Sequence, residues 1–205
     1  MKIFAVSDLH GDSNIKIPEE TDLILVAGDL APYQPGEDKD AIKKTKDVLK
    51  ALKSTKLPVV LISGNIDFPE EIEKFCENTN IAYFAKGSFE YDNVAVICFS
   101  YGVSSIELDE SAKRLFAKHK NKTTILLTHV PPFNTKTDLA FNGSHIGKNE
   151  YNELIEEYSP TIHICGHVHE ARGKDVYKGA IILNCGPKGA IIDMNNNKLK
   201  VELIK

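Results

Sequence analysis

The sequence predicts an α/β fold, and two observations carry this prediction. Near-continuous apolar runs of strand length, such as Lys2–Ser7 and Thr123–Thr128, are typical of strands buried on both faces. Between such runs lie segments such as Asp40–Lys53, where apolar residues form one stripe and lysines the opposite face, as in a surface helix. Strands that alternate with helices in this way indicate an α/β architecture.

The individual elements follow from the same patterns. The expected strands are Lys2–Ser7, Asp22–Ala27, Pro58–Ser63, Val94–Ser100, Thr123–Thr128, Thr161–Cys165, Ala180–Cys185, Ala190–Met194 and Leu199–Ile204. The expected helices are Asp40–Lys53, Pro69–Asn78, Glu107–Lys118 and Gly147–Tyr158. Pro69 suits the first turn of its helix, and Asn195–Asn197 predicts a hairpin turn between the last two strands. The long irregular stretch Val130–Ile146 predicts a functional loop.

Length and composition limit the classes to which the chain can belong. Its 205 residues fit one large domain, which we expect to span residues 1–205. The 42% hydrophobic and 26% charged content is that of a globular protein, and no apolar run approaches the roughly 20 residues of a membrane-spanning helix. Asp8 interrupts the N-terminal apolar run too early for a signal peptide, so we expect a cytoplasmic protein.

Charge and cysteine content narrow the choice of partners. With 29 acidic and 25 basic side chains, the net charge is −4, which argues against an extended nucleic-acid surface because such a surface needs a basic face. A small phosphate substrate held locally by metal stays compatible with this charge. The four cysteines are widely spaced and form no Cys-x-x-Cys pair, so we expect them to be reduced and to act as small hydrophobic residues.

Polar residues that can ligate metals follow five of the expected strands. In open α/β sheets, ligands bind beyond the carboxyl ends of the strands, so these five loops are expected to meet in one crevice. The residues placed there are Asp8, His10, Asp29, Asn65, His129, His167 and His169. Seven ligands are too many for one ion, and they suit two ions that share a bridging carboxylate.

The types of these residues indicate the class of metal. Carboxylate, imidazole and carboxamide groups together suit Mn²⁺, Fe²⁺, Zn²⁺ or Ni²⁺. Sites for Mg²⁺ or Ca²⁺ use oxygen ligands and would not need so many histidines. Gly28, Gly64 and Gly166 each stand directly before a candidate ligand, where a residue without Cβ permits a sharp exit from the strand.

The prediction depends on the combination of motifs, because each motif alone is weak. Asp8-x-His10 and Gly28-Asp29 are also ordinary turn sequences. His167-x-His169 is stronger, because residues two apart on an extended segment point to the same side. Five such coincidences at strand ends, in one order along the chain, are hard to explain as turns.

Together these motifs resemble the calcineurin-like metallophosphoesterases over the span from Asp8 to His169. The segments Thr128–Pro132 and Gly166–Glu170 look most like the small, single-domain phosphodiesterase-type branch. The resemblance implies a four-layer sandwich of two mixed β-sheets flanked by α-helices. It also implies two divalent ions, one held by Asp8, His10, Asp29 and His169 and the other by Asp29, Asn65, His129 and His167, with Asp29 as the bridge.

The reaction expected from this resemblance is hydrolysis of phosphate esters, with phosphodiesters preferred. Two divalent ions about 3.5–4 Å apart can clamp the attacking and leaving oxygens of an in-line displacement. The expected nucleophile is a hydroxide that bridges the ions, because metal-bound water loses its proton near neutral pH. Manganese is the first expectation, with iron, nickel or zinc as alternatives. The expected partner is a small phosphate ester, and the formation of a homodimer stays open.

Ile66 differs from the residue that is typical of the calcineurin-like metallophosphoesterases at this position. Many members have a histidine directly after the metal-binding asparagine, where it is thought to protonate the leaving group or to stabilise the transition state. A hydrocarbon cannot act as a general acid, so phosphomonoesters with poor leaving groups are less expected than phosphodiesters. Asp67, Asp12 and His145 are the candidates to replace the missing acid, and His145 is also a candidate for contacting substrate.

Arg172, three residues beyond His169, is a candidate for binding the substrate phosphate through its planar fork of N–H donors. The alternative for Arg172 is a structural ion pair.

Two other functions fit the same motifs. A protein-binding module on this fold, with weak or lost catalysis, would explain Ile66, but it has no evident need for seven intact ligands. A nuclease would use the same chemistry, although the acidic charge balance argues against it.

Overall fold

The structure is a computed structural model, and it describes residues 1–33, 38–195 and 198–205. The strands of these residues are β1 Lys2–Val6, β2 Leu23–Val26, β3 Val59–Leu61, β4 Ile81–Tyr83, β5 Lys86–Tyr91, β6 Val94–Phe99, β7 Thr123–Thr128, β8 Ile162–Cys165, β9 Gly173–Tyr177, β10 Ala180–Asn184, β11 Ala190–Asn195 and β12 Lys198–Leu203. The helices are α1 Asp38–Ser54, α2 Pro69–Cys76, α3 Ser105–Lys118 and α4 Asn149–Tyr158, and a short 3₁₀ turn covers His169–Ala171.

The strands form two six-stranded mixed sheets. The first sheet has the order β12-β11-β1-β2-β3-β4, in which β1 to β4 are parallel and β11 and β12 antiparallel. The second sheet has the order β5-β6-β7-β8-β10-β9, with a parallel centre and two antiparallel edge strands. Each sheet therefore presents the carboxyl ends of several parallel strands at one edge.

The apolar core lies in three layers between four layers of secondary structure. The inward faces of both sheets pack on each other, with Ile3 and Ala5 of β1 in this central layer. Phe4 and Val6 alternate to the opposite face, where they pack against α1 and α2. A third layer joins the outer face of the second sheet to α3 and α4. Both faces of the central strands are covered by apolar partners, which explains why their sequences are continuous apolar runs.

The expected elements are present with ends within two residues of those predicted. Three strands were not expected: Ile81–Tyr83, Lys86–Tyr91 and Gly173–Tyr177. All three form sheet edges, and each exposes part of its surface, so none has the apolar run that marks a central strand. β11 and β12 pair antiparallel as a hairpin would, but Asn196 and Asn197 of the predicted turn lie outside the described residues.

Two simpler expectations have a clear outcome. None of the described helices combines the length and the apolar character needed to cross a membrane. The four cysteines Cys76, Cys98, Cys165 and Cys185 are all free and buried, as expected of small hydrophobic side chains. Burial raises the pKa of the Cys76 thiol to about 12, which keeps it protonated and unreactive at neutral pH.

Candidate metal centre

Five loops that follow β1, β2, β3, β7 and β8 meet at one end of the sandwich. The first three strands are parallel neighbours in the first sheet, and the other two are parallel neighbours in the second. Their loops carry the seven predicted ligands, which form a connected cluster that we call the candidate metal centre: Asp8, His10, Asp29, Asn65, His129, His167 and His169. The seam between the two sheets thus runs into this centre.

Four of the candidate ligands adopt a left-handed backbone conformation, which is uncommon outside glycine. Their φ angles are 56° for Asp8, 45° for His10, 57° for Asp29 and 68° for His167. Such a conformation costs roughly 1–2 kcal/mol per residue, so it persists only where the surrounding structure imposes it. Backbone strain of this kind concentrates at functional sites, and four of the eleven described non-glycine residues with positive φ are candidate ligands.

Glycines before the ligands are required by close contacts. A Cβ on Gly64 would lie 2.1 Å from Oδ1 of Asp29, and a Cβ on Gly166 would lie 2.4 Å from Oδ2 of Asp8. Gly28 has a φ of +88°, and a Cβ there would lie 2.4 Å from the Gly64 nitrogen. The absence of side chains at these positions lets the strand ends approach the two carboxylates directly.

The first group of candidate ligands consists of Asp8, His10 and His169, whose ligand atoms all lie within 4.8 Å of one another. Nε2 of His10 lies 3.0 Å from Nε2 of His169, and the latter lies 3.6 Å from Oδ1 of Asp8. Asp8 is buried and His169 is exposed, so this group opens to solvent on one side.

The second group contains Asp8 again, together with Asp29 and His129, and all three are buried. Nε2 of His129 lies 3.3 Å from Oδ2 of Asp29 and 2.9 Å from Oδ1 of Asn65. Nδ1 of His167 lies 2.9 Å from the same Asn65 oxygen. The carboxylate common to both groups in this structure is that of Asp8, whereas the family resemblance implies Asp29 as the bridge.

Hydrogen bonds to backbone carbonyls orient two of the imidazoles. Nδ1 of His129 donates to the carbonyl of Ala27 over 2.7 Å, and Nδ1 of His10 donates to that of Ala31 over 3.2 Å. In each neutral ring the lone pair then sits on Nε2, which faces the centre. The Nε2 lone pair of His129 faces the Asp29 carboxylate, so a cation is needed between them, either a proton or a metal ion. The donor set thus fits divalent metals that accept nitrogen and oxygen ligands.

The carboxylates and imidazoles shift one another's pKa values. Burial acts to raise the pKa of Asp8, but hydrogen bonding to His169 and the nearby His129 hold it below its usual value. Burial lowers the pKa of His129, yet the hydrogen bond to Asp29 and the charges of both carboxylates raise it overall. Burial, followed by the charge of His129, lowers the pKa of His167. A cluster of buried groups with opposing shifts is typical of a functional site.

Asp67, which the sequence offered as a catalytic acid, is placed among backbone amides. Its Oδ1 accepts hydrogen bonds from the N–H groups of Leu30 and Ala31, and its Oδ2 accepts from those of Asp29 and Gly64. Burial raises the pKa of Asp67 despite these hydrogen bonds. With four donors occupying it, the carboxylate holds the Asp29 loop against the Asn65 loop.

Arg172, the candidate for phosphate binding, directs its guanidinium to three backbone carbonyls. Nε donates to Cys185 over 2.8 Å, and Nη2 donates to Gly189 over 2.7 Å and to Ile204 over 2.8 Å. The side chain also lines a cavity of about 300 Å³ next to the first group of ligands. Most of its donors are therefore committed to the backbone, close to the centre.

His145 forms a pair with a buried carboxylate that the sequence gave no reason to single out. Nδ1 of His145 lies 2.7 Å from Oδ1 of Asp138, which is fully buried. Asp138 also accepts hydrogen bonds from the N–H groups of Asn134, Thr135 and Gly147, which fixes the Val130–Ile146 loop around it. The imidazole is 31% exposed.

Sequence reasoning missed two tyrosines next to the ligands and a lysine that lies over one of them. The ring of Tyr33 lies 5.4 Å from that of His10, and the ring of Tyr101 lies 6.4 Å from that of His129. Nζ of Lys148 lies 5.0 Å from the Tyr101 ring centre. Tyr101 follows β6 at the same sheet edge as the ligands, so its position directly after a strand could have predicted a place at the centre. Tyr33 and Lys148 carry no such signal.

Comparison with known proteins assigns the chain to a family. The family model described as calcineurin-like phosphoesterase matches residues 1–171, which is most of the chain. The chain therefore belongs to the calcineurin-like phosphoesterase family.

The chain is also similar to individual proteins. An uncharacterised protein of Methanocaldococcus jannaschii is 25% identical over 205 residues, covering 94% of this chain and 91% of that protein. The crystal structure of TT1561 of Thermus thermophilus has a TM-score of 0.72 at 15% identity, covering 100% and 99% of the two chains. A dimetal phosphatase of Danio rerio has a TM-score of 0.65 at 10% identity, covering 98% and 95%. At such identities the two structures are evidence for the shared fold.

Proposed function

We propose that this protein is a phosphoesterase that uses two divalent metal ions and acts on phosphodiesters. The observation that carries the proposal is the pair of ligand groups that share Asp8 at the seam of the two sheets. The family match supports the reaction class, and the mixed oxygen and nitrogen donor set supports manganese, iron, nickel or zinc, of which we propose manganese. In this proposal the whole chain, residues 1–205, acts as one catalytic domain. The free cysteines support a reducing compartment such as the cytoplasm.

In this proposal the seven ligand residues are divided between two metal ions. Asp8, His10 and His169 would hold one ion, and Asn65, His129 and His167 the other, with Asp29 as the proposed bridge. Two bound ions supply positive charge that stabilises the phosphoryl group in the transition state and lower the pKa of a water molecule. The carbonyls of Ala27 and Ala31 keep the imidazoles of His129 and His10 turned towards the centre.

The preference for diesters follows from the residue beside Asn65. Ile66 supplies its backbone N–H to Oδ1 of Asp29 over 3.2 Å, but its side chain has no proton to give to a leaving group. We therefore assign proton donation to His145, since the Asp138 carboxylate holds its Nδ1 while the imidazole stays partly exposed. Substrates with good leaving groups depend least on such a donor.

The test is an assay of metal-free protein reconstituted separately with Mn²⁺, Ni²⁺, Zn²⁺ or Mg²⁺. We expect metal-dependent hydrolysis of bis-p-nitrophenyl phosphate that exceeds hydrolysis of p-nitrophenyl phosphate. The variant Asp29→Ala should keep less than about a tenth of the activity, because a ligand to both ions is lost. Two bound ions with no hydrolysis of either ester, or full activity in Asp29→Ala, would contradict the proposal.

A further inference from the structure

Tyr101 forms one wall of the candidate metal centre on the side of Asn65 and His129. Its ring meets the His129 ring edge-on, at a centre-to-centre distance of 6.4 Å and an angle of 83°. The backbone N–H of Tyr101 donates to the carbonyl of Ser63 over 3.0 Å, which ties Tyr101 to the loop that carries Asn65. The tyrosine is 43% exposed, so a ligand at the centre can reach its ring.

The ammonium of Lys148 lies over the same tyrosine ring. Its Nζ lies 5.0 Å from the centre of the Tyr101 ring and 5.8 Å from that of Tyr151. Two hydrogen bonds tie the backbone of Lys148 to the preceding loop, since its N–H donates to the carbonyl of Pro131 and its carbonyl accepts from the N–H of Phe133. Both partners belong to the segment that follows His129, so the lysine is anchored to the centre.

The ammonium of Lys148 has no anionic partner among the residues that the structure describes. None of their carboxylate oxygens lies within 4.0 Å of its Nζ, and no hydrogen bond to it is present there. By contrast, Lys178, which lies over the ring of Tyr177, also pairs with Glu156 over 3.4 Å. Aromatic faces attract an ammonium but leave its three N–H donors free.

We propose that Tyr101 and Lys148 form a subsite for a second phosphate group of the substrate, distinct from the phosphate that is hydrolysed. This inference rests on the proposed phosphoesterase function. The Lys148 ammonium and the His129 imidazole both lie against the Tyr101 ring, so an anion bound by Lys148 lies beside the centre. The substrate class is therefore a phosphodiester that also carries a phosphomonoester group.

Two chromogenic substrates that differ by one phosphate test the subsite. They are thymidine 5′-(p-nitrophenyl phosphate) and the same compound with a 3′-phosphate. A hydrogen bond to a charged group contributes about 1.5–3 kcal/mol, so we expect the added phosphate to raise kcat/KM roughly 10- to 100-fold in the manganese-loaded protein. Lys148→Met should bring the ratio of the two kcat/KM values close to one, and Lys148→Arg should retain part of it.

Lys178→Met is the matched control and should keep the wild-type ratio. It also removes a lysine from a tyrosine face, but Lys178 precedes the amino end of β10, whereas the centre follows the carboxyl ends of the parallel strands. A wild-type ratio near one, or an unchanged ratio in Lys148→Met, would overturn the subsite and leave the phosphoesterase proposal standing.

A binding measurement tests the subsite even if the protein hydrolyses neither substrate. Calorimetry with manganese-loaded protein should show tighter binding of thymidine 3′,5′-bisphosphate than of thymidine 5′-phosphate, and Lys148→Met should abolish the difference. If neither substrate is hydrolysed but this difference is observed, the subsite is supported and the phosphoesterase proposal fails. Equal affinities for the two nucleotides in the wild-type protein would refute the subsite without reference to catalysis.

Discussion

Nε2 of His129 lies 2.9 Å from Oδ1 of Asn65, although 64 residues separate them and they follow strands of different sheets. The contact joins the carboxyl end of β7 to that of β3 at the seam of the sandwich. The candidate metal centre therefore depends on how the two sheets pack, and a change at this contact affects both halves of the chain.

Replacement of His129 by alanine is expected to remove a ligand that is fully buried between Asp29 and Asn65. Metal affinity or activity should fall by at least about a hundredfold, since even partners of metal ligands cost 10- to 100-fold when lost. Metal content after gel filtration measures the effect directly. His119→Ala is the control, because His119 is also buried but contacts Ser88 instead. Two tightly bound ions in His129→Ala would disprove the assignment.

The variant Gly64→Ala is expected to disturb the centre without changing any ligand. Its Cβ would lie 2.1 Å from Oδ1 and 2.6 Å from N of Asp29, so the carboxylate has to move. Overpacking of this kind costs about 1–3 kcal/mol of stability, and we expect metal affinity to fall as well. Titration with Mn²⁺ and urea unfolding measure the two effects. Gly173→Ala, whose Cβ would meet its nearest neighbour at 3.7 Å, should behave like the wild type in both.

Ile66→His is expected to widen the range of substrates. A histidine beside Asn65 could protonate a leaving group, and general acids contribute about 10²–10⁴-fold to rates. The ratio of activity on phenyl phosphate, a monoester with a poor leaving group, to that on bis-p-nitrophenyl phosphate should therefore rise by at least about tenfold. Ile66→Leu is the control, because it changes the shape of the side chain without adding a group that can donate a proton. An unchanged ratio in Ile66→His would argue that Ile66 does not limit the choice of substrate.

The pair of His145 and Asp138 predicts a dependence on the leaving group. If His145 donates the proton, His145→Gln should slow diesters with poor leaving groups by about 10²-fold or more and p-nitrophenyl esters much less. Rates across a series of aryl methyl phosphates of rising leaving-group pKa measure this trend. The p-nitrophenyl ester is the internal control, because it needs little assistance. An equal loss across the series would assign His145 to loop structure, through its 2.7 Å contact with Asp138.

His163 predicts a loss of stability in acid. Burial lowers the pKa of its imidazole to about 3, from 6.5 in the unfolded chain. Between these values the unfolded state binds more protons, so stability is present above pH 6.5 and is lost as the pH falls towards 3. The full effect is on the order of 5 kcal/mol.

Urea unfolding of metal-free wild type and His163→Gln measures the contribution of this histidine. The glutamine keeps a donor for Oγ1 of Thr128, which lies 2.6 Å from Nε2 of His163, but does not titrate. Any stability advantage of the wild type should shrink as the pH is lowered from 6.5. Parallel pH profiles of the two proteins would show that His163 does not contribute.

Local patterns were sufficient for the parts of the fold that are buried on both sides. The sequence predicts β1 and β7 because their apolar side chains are unfavourable in contact with water, so both faces of these strands have to be buried. The edge strands β4, β5 and β9 were not predicted, because a strand with one partner and a wet face has no distinctive pattern. These edge strands form because each hydrogen-bonds to one neighbouring strand, which is either remote in sequence or joined to it by a tight turn.

By itself, the sequence determined which residue types stand at the strand ends. Asp8, Asp29 and His129 were identified from their position after apolar runs, since chain direction and sheet geometry bring such ends together. The glycines before them carried the same information, because a Cβ at Gly64 or Gly166 would collide with a carboxylate.

Only the tertiary structure decided how the remaining polar groups are used. It sets Asp67 on four backbone N–H groups and commits Arg172 to three carbonyls, where the sequence offered both for catalysis or binding. It brings Lys148 over Tyr101, 47 positions earlier in the chain. The reason is physical: hydrogen bonds and charge contacts depend on distances of a few ångströms between segments far apart in sequence, and local hydrophobic patterns carry no record of those distances.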